Sequence, residues 1–253
     1  MPTLAANTFQ PFTLTHLWAV VVSAGIVAGI IIAGRNLRGA DSAATPRLRV
    51  MERTLGTLAL LHWLAYAGHA ARFIREDPMF AIPLQMCDIA GLAAALSLLT
   101  RWRPLAVLVY FWGLALSSQG YVTPTVRVGP EGINFWFFWG AHLIIVGTAI
   151  YECAVRGLVP AGRDLLLALA CGLVYFLVTL GINIAFGMNF GYTGPPQADG
   201  TRTLADALGS WPLRIVWIAL LAIAAMTLAW LPWGLTASGR TRAGGTRGPR
   251  GPA

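Results

Sequence analysis

The sequence predicts an all-α fold, a multi-pass bundle of seven transmembrane helices. Only 11% of the 253 residues are charged, whereas a soluble domain usually has about 25% charged residues. The mean hydropathy is +0.65, so the chain has too few polar groups to cover a surface exposed to water. A lipid bilayer is the solvent that suits this composition, and the bilayer is therefore the first partner that we expect.

Seven apolar runs are long enough to cross a bilayer, which takes about 20 mostly apolar residues. They cover residues 15–34, 51–71, 80–99, 104–122, 135–155, 164–186 and 211–233. Pro83 lies inside the first turns of the third run, where it predicts a bend. The first run has no positively charged segment before it, so we interpret it as a retained helix and not as a secretory signal peptide.

Two segments outside the runs have their own predicted structure. Residues 1–234 form the predicted bundle, and the Arg-, Gly- and Pro-rich tail at 235–253 has no apolar face to bury, which predicts disorder. The segment LADALGSWP at 204–212 is expected to form a short helix at the outer membrane surface. Thr203 and Asp206 have the spacing of a helix cap.

The distribution of arginine predicts the orientation of the bundle. All 18 basic residues are arginine, and thirteen of them follow the first, third, fifth and seventh runs, against five on the opposite side. Because positive residues concentrate in cytoplasmic loops, we expect the N-terminus outside and the C-terminal tail in the cytoplasm. This pattern also accounts for the net charge of +8, so we expect no nucleic-acid partner.

Ionisable residues within membrane spans are functional candidates by default, because they are expensive to bury there. From the predicted orientation and a rise of about 1.5 Å per residue, Cys87 and Asp88 lie roughly 10–12 Å below the outer surface. His142 in the fifth run lies at a similar depth, roughly 10 Å. Equal depth would allow the Cys87 thiol and the His142 ring to face each other.

A second group of polar residues lies in the outer half of the predicted bundle. His62, Tyr66 and His69 are separated by four and three residues, which places them on one stripe of the second helix. Gln85 and Gln119 also lie in the outer half. These five residues are the predicted substrate-binding residues of a pocket that opens outward or into the outer leaflet.

Each candidate also has a purely structural interpretation. A buried cysteine is usually a small apolar filler, and this is our interpretation of Cys153 and Cys171. A histidine within a span is often a structural hydrogen-bond partner, and Asp88 could pair with another charge to hold the bundle. No CxxC or HExxH pattern occurs, so we predict no metal site and no cofactor.

Five segments together resemble the YwaF-like bacterial integral membrane proteins. They are IPLQMCDIA (82–90), RPLAVLVYFWGLALSSQGYVTP (103–124), FWFFWGAH (135–142), NFGY (189–192) and LADALGSWP (204–212). The resemblance covers most of residues 51–233 and implies a multi-pass protein of the bacterial plasma membrane. That family is similar in turn to a vertebrate transmembrane acyltransferase that makes arachidonoyl ether phospholipids.

The resemblance implies a chemistry for two of the candidates. In the vertebrate relative a membrane-embedded cysteine and a histidine are essential, and the cysteine carries the acyl group; Cys87 and His142 are the matching positions. This implies acyl transfer or hydrolysis on a phospholipid or another acyl-chain substrate, with Cys87 as nucleophile and His142 as base. Beside the resemblance, Asp88, His62 or His69 could orient the imidazole, and Asp88 is our third catalytic candidate.

Two other functions remain open at the level of sequence. One is a small-solute or proton path lined by His62, Tyr66, His69 and Asp88, and the other is a non-catalytic membrane assembly subunit. A retinal photoreceptor is excluded, because its Schiff base needs a lysine and the chain contains none.

Overall fold

The computed structural model describes residues 9–38, 44–195 and 204–244. This part of the chain is all-α and contains no strand; a single isolated bridge pairs Arg38 with Ala44. The predicted fold class is therefore confirmed.

Seven helical segments correspond to the seven predicted runs within the described residues. They are α1 (Leu14–Asn36), α2 (Pro46–Ala70), α3 (Met86–Thr100), α4 (Arg103–Phe111), α5 (Ile133–Ala154), α6 (Gly162–Phe186) and α7 (Leu213–Gly244). A one-turn helix at Pro78–Ala81 precedes α3. A π-helix at Trp112–Ser117 and a 3₁₀ turn at Ser118–Tyr121 continue α4.

Five segments of the described chain are long and apolar enough to cross a membrane. They are Leu14–Asn36, Pro78–Thr100, Ile133–Ala154, Gly162–Phe186 and Leu213–Thr236. The α2 helix falls short in hydropathy because it contains four charged residues near its start and two histidines, His62 and His69, further along. The α4 helix falls short in length because it passes into the π-helix. The chain is thus a multi-pass membrane protein, and its orientation in the bilayer stays a prediction.

The burial of the helices matches a bundle in lipid. Large apolar side chains such as Trp18, Leu177 and Leu220 are exposed on α1, α6 and α7, which is stable only if lipid covers them. The centre is α3, which packs on α2, α4 and α5. Ala90, Ala94 and other small residues of α3 are fully buried, and small residues let the neighbouring backbones approach closely.

The third predicted helix is interrupted, not merely bent. After Pro78–Ala81 the backbone becomes extended at Ile82 (φ −93°, ψ 117°), and α3 begins only at Met86. Pro83 explains the break, because a proline pushes the residue before it out of the helical region. Non-helical backbone at membrane depth needs other hydrogen-bond partners. The Tyr175 hydroxyl supplies one by donating to the Leu84 carbonyl at 3.0 Å.

Two further boundaries differ from the prediction. The α7 helix continues to Gly244, so the predicted start of the tail at residue 235 lies inside it, while residues 245–253 are outside the described residues. The disorder predicted for the tail therefore stays a prediction. The predicted surface helix at 204–212 is a 3₁₀ helix over Leu204–Leu208, and Thr203 lies outside the described residues.

Candidate functional site

A small cavity of about 20 Å³ lies between α2, α3 and α5. Its walls are Ala59, His62, Trp63 and Tyr66 from α2, Cys87, Asp88 and Gly91 from α3, and Ala141 and Ile144 from α5. The volume suffices for roughly one water molecule. Four of the residues singled out in the sequence thus line one cavity: His62, Tyr66, Cys87 and Asp88.

Cys87 is the second residue of α3 and follows directly on the break in the third span. All three cysteines are free, and Cys87 is partly buried against the apolar core. The first-turn N–H groups of a helix have no partner within the helix, and the N-terminal end of the helix dipole is positive. The break therefore places the Cys87 thiol where the backbone favours negative charge.

Asp88 is buried and acts first as a cap for α3. One oxygen of its carboxylate, Oδ2, accepts a hydrogen bond from the Gln85 backbone N–H at 3.0 Å, and Gln85 and Asp88 together form a capping box. The Asp88 carbonyl also accepts from the Trp63 indole at 2.8 Å. Asp88 thereby holds the start of α3 against α2, next to Cys87.

His62 is the histidine among the residues that line the cavity. Its Nε2 is buried and has no hydrogen-bond partner in the described part of the chain, while the ring interacts with the Trp136 backbone. A Cβ built on Gly140 would lie 2.5 Å from Nε2, so α5 approaches the ring closely because residue 140 is glycine. A neutral imidazole nitrogen without a partner is a suitable proton acceptor.

His142 is buried on the same helix as Gly140 but does not line the cavity. Its Nδ1 is 2.8 Å from the Phe138 carbonyl, and its ring lies 4.2 Å from the Phe138 ring, centroid to centroid. Its other edge meets Gly120, where a side chain would overlap the ring. The pairing of Cys87 with His142 stays a prediction.

The remaining predicted residues lie around the cavity or away from it. Tyr66 packs edge-on against Phe80 and Phe137. His69 lies beyond it, in ring contact with Phe73, Phe80 and Phe137 and in contact with Arg72. Gln85 accepts from the Gly191 N–H at 3.3 Å, and Gln119 is exposed. Their predicted role in substrate binding stays a prediction.

Sequence reasoning missed the tyrosines of α6 and the following loop. Tyr66, Tyr175 and Tyr192 are near enough to Cys87 to interact with it electrostatically. Tyr175 also holds the Leu84 carbonyl at the break, and a Cβ on Gly191 would lie 3.3 Å from its hydroxyl. The hydroxyl-bearing Tyr175 within the apolar sixth run was the available signal.

One family model matches most of the chain. It is described as the TMEM164 family, and the match covers residues 8–230, which include the whole cavity. Neither the comparison with curated proteins nor the comparison with solved structures found a match.

Proposed function

The chain belongs to the TMEM164 family of integral membrane proteins, and we propose that it transfers or hydrolyses acyl groups of membrane lipids with Cys87 as nucleophile. One observation carries the proposal: Cys87 and His62, whose Nε2 is buried without a partner in the described chain, line the same cavity. A cysteine nucleophile needs an adjacent base to become reactive. The resemblance at Cys87 to a lipid acyltransferase adds independent support.

In the first half of the proposed reaction the lipid ester acylates the enzyme. His62 accepts the thiol proton through Nε2, and the Cys87 sulfur attacks the ester carbonyl. A carbon–sulfur bond forms and the ester carbon–oxygen bond breaks. The leaving lysolipid oxygen takes this proton from His62, so the half-reaction needs no cofactor.

In the second half an acceptor removes the acyl group. The hydroxyl of a lysolipid gives its proton to His62 and attacks the thioester carbonyl. The carbon–sulfur bond breaks, a new ester forms, and the Cys87 sulfur recovers the proton from His62. Water in place of the lysolipid makes the same sequence a hydrolysis.

The lipid must reach a cavity that holds only about one water molecule. The α2 helix separates this cavity from lipid, because its opposite face exposes Leu58, Leu61 and Leu64. In the proposed mechanism α2 moves outward to admit the ester, as lids do in other enzymes. With the predicted orientation the ester comes from the outer leaflet of the bacterial plasma membrane.

An acyl-transfer assay on the purified full-length protein tests the proposal. Mixed micelles would contain phosphatidylcholine with a labelled acyl chain and an unlabelled ether lysophospholipid, and labelled alkyl-acyl product and labelled free fatty acid would be measured. Transfer yields a labelled alkyl-acyl phospholipid, because the acceptor already carries an ether chain, and hydrolysis yields labelled free fatty acid. We expect one of these two products, and we expect Cys87→Ala to abolish it.

Cys153→Ala is the matched control, because Cys153 is also a free, partly buried cysteine but does not line the cavity. It should retain the activity. Full activity in Cys87→Ala would contradict Cys87 as the nucleophile. Absence of both products with the wild-type protein would favour the solute or proton path, which needs no acyl transfer.

A further inference from the structure

A second, larger cavity lies at the other end of α3, where the segments after α1, α3 and α5 meet. Its volume is about 470 Å³, which is within the range of small-molecule sites. Arg101, at the end of α3, is fourteen residues from Cys87, or roughly 21 Å along the helix. This arginine-lined cavity is therefore distinct from the Cys87 cavity.

We propose that the arginine-lined cavity binds the phosphate group of an anionic ligand. Four arginines line it: Arg38, Arg101, Arg103 and Arg156. Among its described lining residues, Glu152 is the only carboxylate. Planar guanidinium groups match the geometry of phosphate oxygens and donate charge-assisted hydrogen bonds to them.

Buried carboxylates hold two of these guanidinium groups in place. Glu52, whose side chain is 1% exposed, pairs with Arg101 at 2.8 Å and with Arg156 at 2.9 Å. Arg101 uses only its Nε and Nη2 in these contacts, and its side chain remains 26% exposed. Its Nη1 is therefore available to a ligand, on a group whose position is already fixed, which lowers the entropy lost on binding.

Arg103 offers the most accessible donors. Its Nη2 donates to the Asp164 carboxylate at 2.5 Å and approaches the Val159 carbonyl at 3.5 Å. The side chain is 44% exposed, and Nε and Nη1 make no hydrogen bond within the described residues. Like Arg101, Arg103 is paired with a buried carboxylate and keeps guanidinium N–H donors without a partner in the described residues next to the cavity.

The backbone at Arg101 supports a role for its side chain. Arg101 ends α3 in the left-handed conformation, with φ of 59°, where glycine is favoured at helix ends. In this conformation an arginine has a higher conformational energy than a glycine would have. The Glu52 pair holds this arginine at the mouth of the cavity.

The ligand is defined by its phosphate chemistry. Basic pockets between helices at the cytoplasmic face suit anionic lipid headgroups, and the predicted orientation places this cavity there. A soluble phosphate would use the same donors. The two sources differ in that only the lipid also carries acyl chains.

Binding to the purified full-length protein in a neutral detergent tests the proposal. Native mass spectrometry and thermal shift would be measured with three probes: dioctanoyl phosphatidic acid, dioctanoyl phosphatidylcholine and inorganic phosphate. We expect the phosphatidic acid to bind more tightly than the phosphatidylcholine, which has the same chains but no net charge. We expect Arg103→Gln to weaken this binding about tenfold, the effect of losing one charged hydrogen bond.

Arg163→Gln is the matched control, because Arg163 is exposed nearby at the start of α6 and does not line the cavity. Its affinity should equal that of the wild type. Asp164, the partner of Arg103, also caps α6 by accepting from the Ala161 N–H. Circular dichroism would therefore check that Arg103→Gln keeps its fold. Arg103→Lys keeps the charge without the planar fork and should lose part of the affinity, so it serves as the second test.

Inorganic phosphate that binds in an Arg103-dependent manner would identify a free phosphate as ligand, and binding of the phosphatidic acid alone would identify a lipid headgroup. Either result supports the site. The site would be overturned by an equal loss in Arg163→Gln. It would also be overturned if the phosphatidic acid does not bind, or binds no better than the phosphatidylcholine, and inorganic phosphate shows no Arg103-dependent binding either. If Arg103→Gln does not fold, Arg103→Lys takes its place as the test. Unchanged affinity in Arg103→Lys would then overturn the requirement for a guanidinium group at the site.

Discussion

The two ends of α3 differ in whether their buried polar groups are paired with an opposite charge. At the Arg101 end, Glu52 pairs with two arginines, and Glu152 accepts from Arg156 at 2.7 Å and from Ser97 at 2.6 Å. At the Cys87 end, the Nε2 of His62 is buried without a partner in the described chain. A buried polar atom without a hydrogen bond costs stability. The contrast separates groups that hold the fold from groups that are available for chemistry.

Arg156 makes several of the hydrogen bonds at the Arg101 end. Its guanidinium donates to the Ser97 carbonyl at 3.0 Å and to the Leu98 carbonyl at 3.1 Å, in addition to its two carboxylates. Carbonyls in the last turn of a helix have no partner within the helix. Arg156 thereby closes the end of α3 and joins α2, α3 and the segment after α5.

The largest effect on stability is expected from Arg156→Met. The substitution leaves Glu52 with one arginine and Glu152 with none, and breaking a buried ion pair typically costs about 3–5 kcal/mol. Thermal unfolding of the protein in detergent measures the change. Arg163→Met removes an exposed arginine nearby and should unfold at the wild-type temperature. Equal melting of both variants would show that the network does not hold the fold.

His62→Gln should affect activity and leave stability almost unchanged. Loss of a general base reduces a rate by about 10²–10⁴-fold. The unfolding temperature should change far less, because Nε2 has no hydrogen bond to lose and only the ring's interactions with Phe137 and the Trp136 backbone are altered. Acyl transfer and thermal unfolding would be measured on the same sample. His142→Gln sharpens the test, since His142 lies outside the cavity and should retain more activity. The reverse order would favour the pairing of Cys87 with His142 that the sequence suggests.

Gly140→Ala should reduce activity less than His62→Gln does, and stability less than Arg156→Met does. The new methyl group would lie 2.5 Å from the His62 Nε2 and displace the ring from the cavity. Overpacking of this kind costs about 1–3 kcal/mol, and we expect activity to fall with it. Gly181→Ala is the control, because a Cβ there meets nothing within 4 Å. Unchanged acyl transfer in Gly140→Ala would indicate that the position of the His62 ring does not matter.

Hydropathy was sufficient to predict the all-α fold and the seven helical segments, because the bilayer imposes length and composition on each span. It could not predict the break before Met86. Pro83 indicated a disturbance there, but the extended backbone depends on Tyr175 and Gly191, which are about 90 to 110 residues away in sequence. The π-helix at Trp112–Ser117 left no signal that we recognised.

Four residues that the sequence singled out line the cavity, but the direction in which each side chain points could not be predicted. Helical spacing placed His62 and Tyr66 on one stripe, and both line the cavity with Cys87. Equal depth also favoured His142, but depth does not fix the rotation of a helix about its axis. Close approach to glycine decides where each ring lies: Gly140 accommodates His62 and Gly120 accommodates His142. Such pairings depend on packing between helices and are not visible in one sequence.

The most direct test of the central claim is to trap the acyl group on Cys87. The protein would be mixed with a lipid ester, quenched in acid after a short time and digested, and the peptide containing Cys87 would be examined by mass spectrometry before and after neutral hydroxylamine. We expect an added acyl mass on that peptide, its removal by hydroxylamine, and its absence in Cys87→Ala. Acyl transfer that proceeds while Cys87 carries no hydroxylamine-sensitive acyl group would contradict the account.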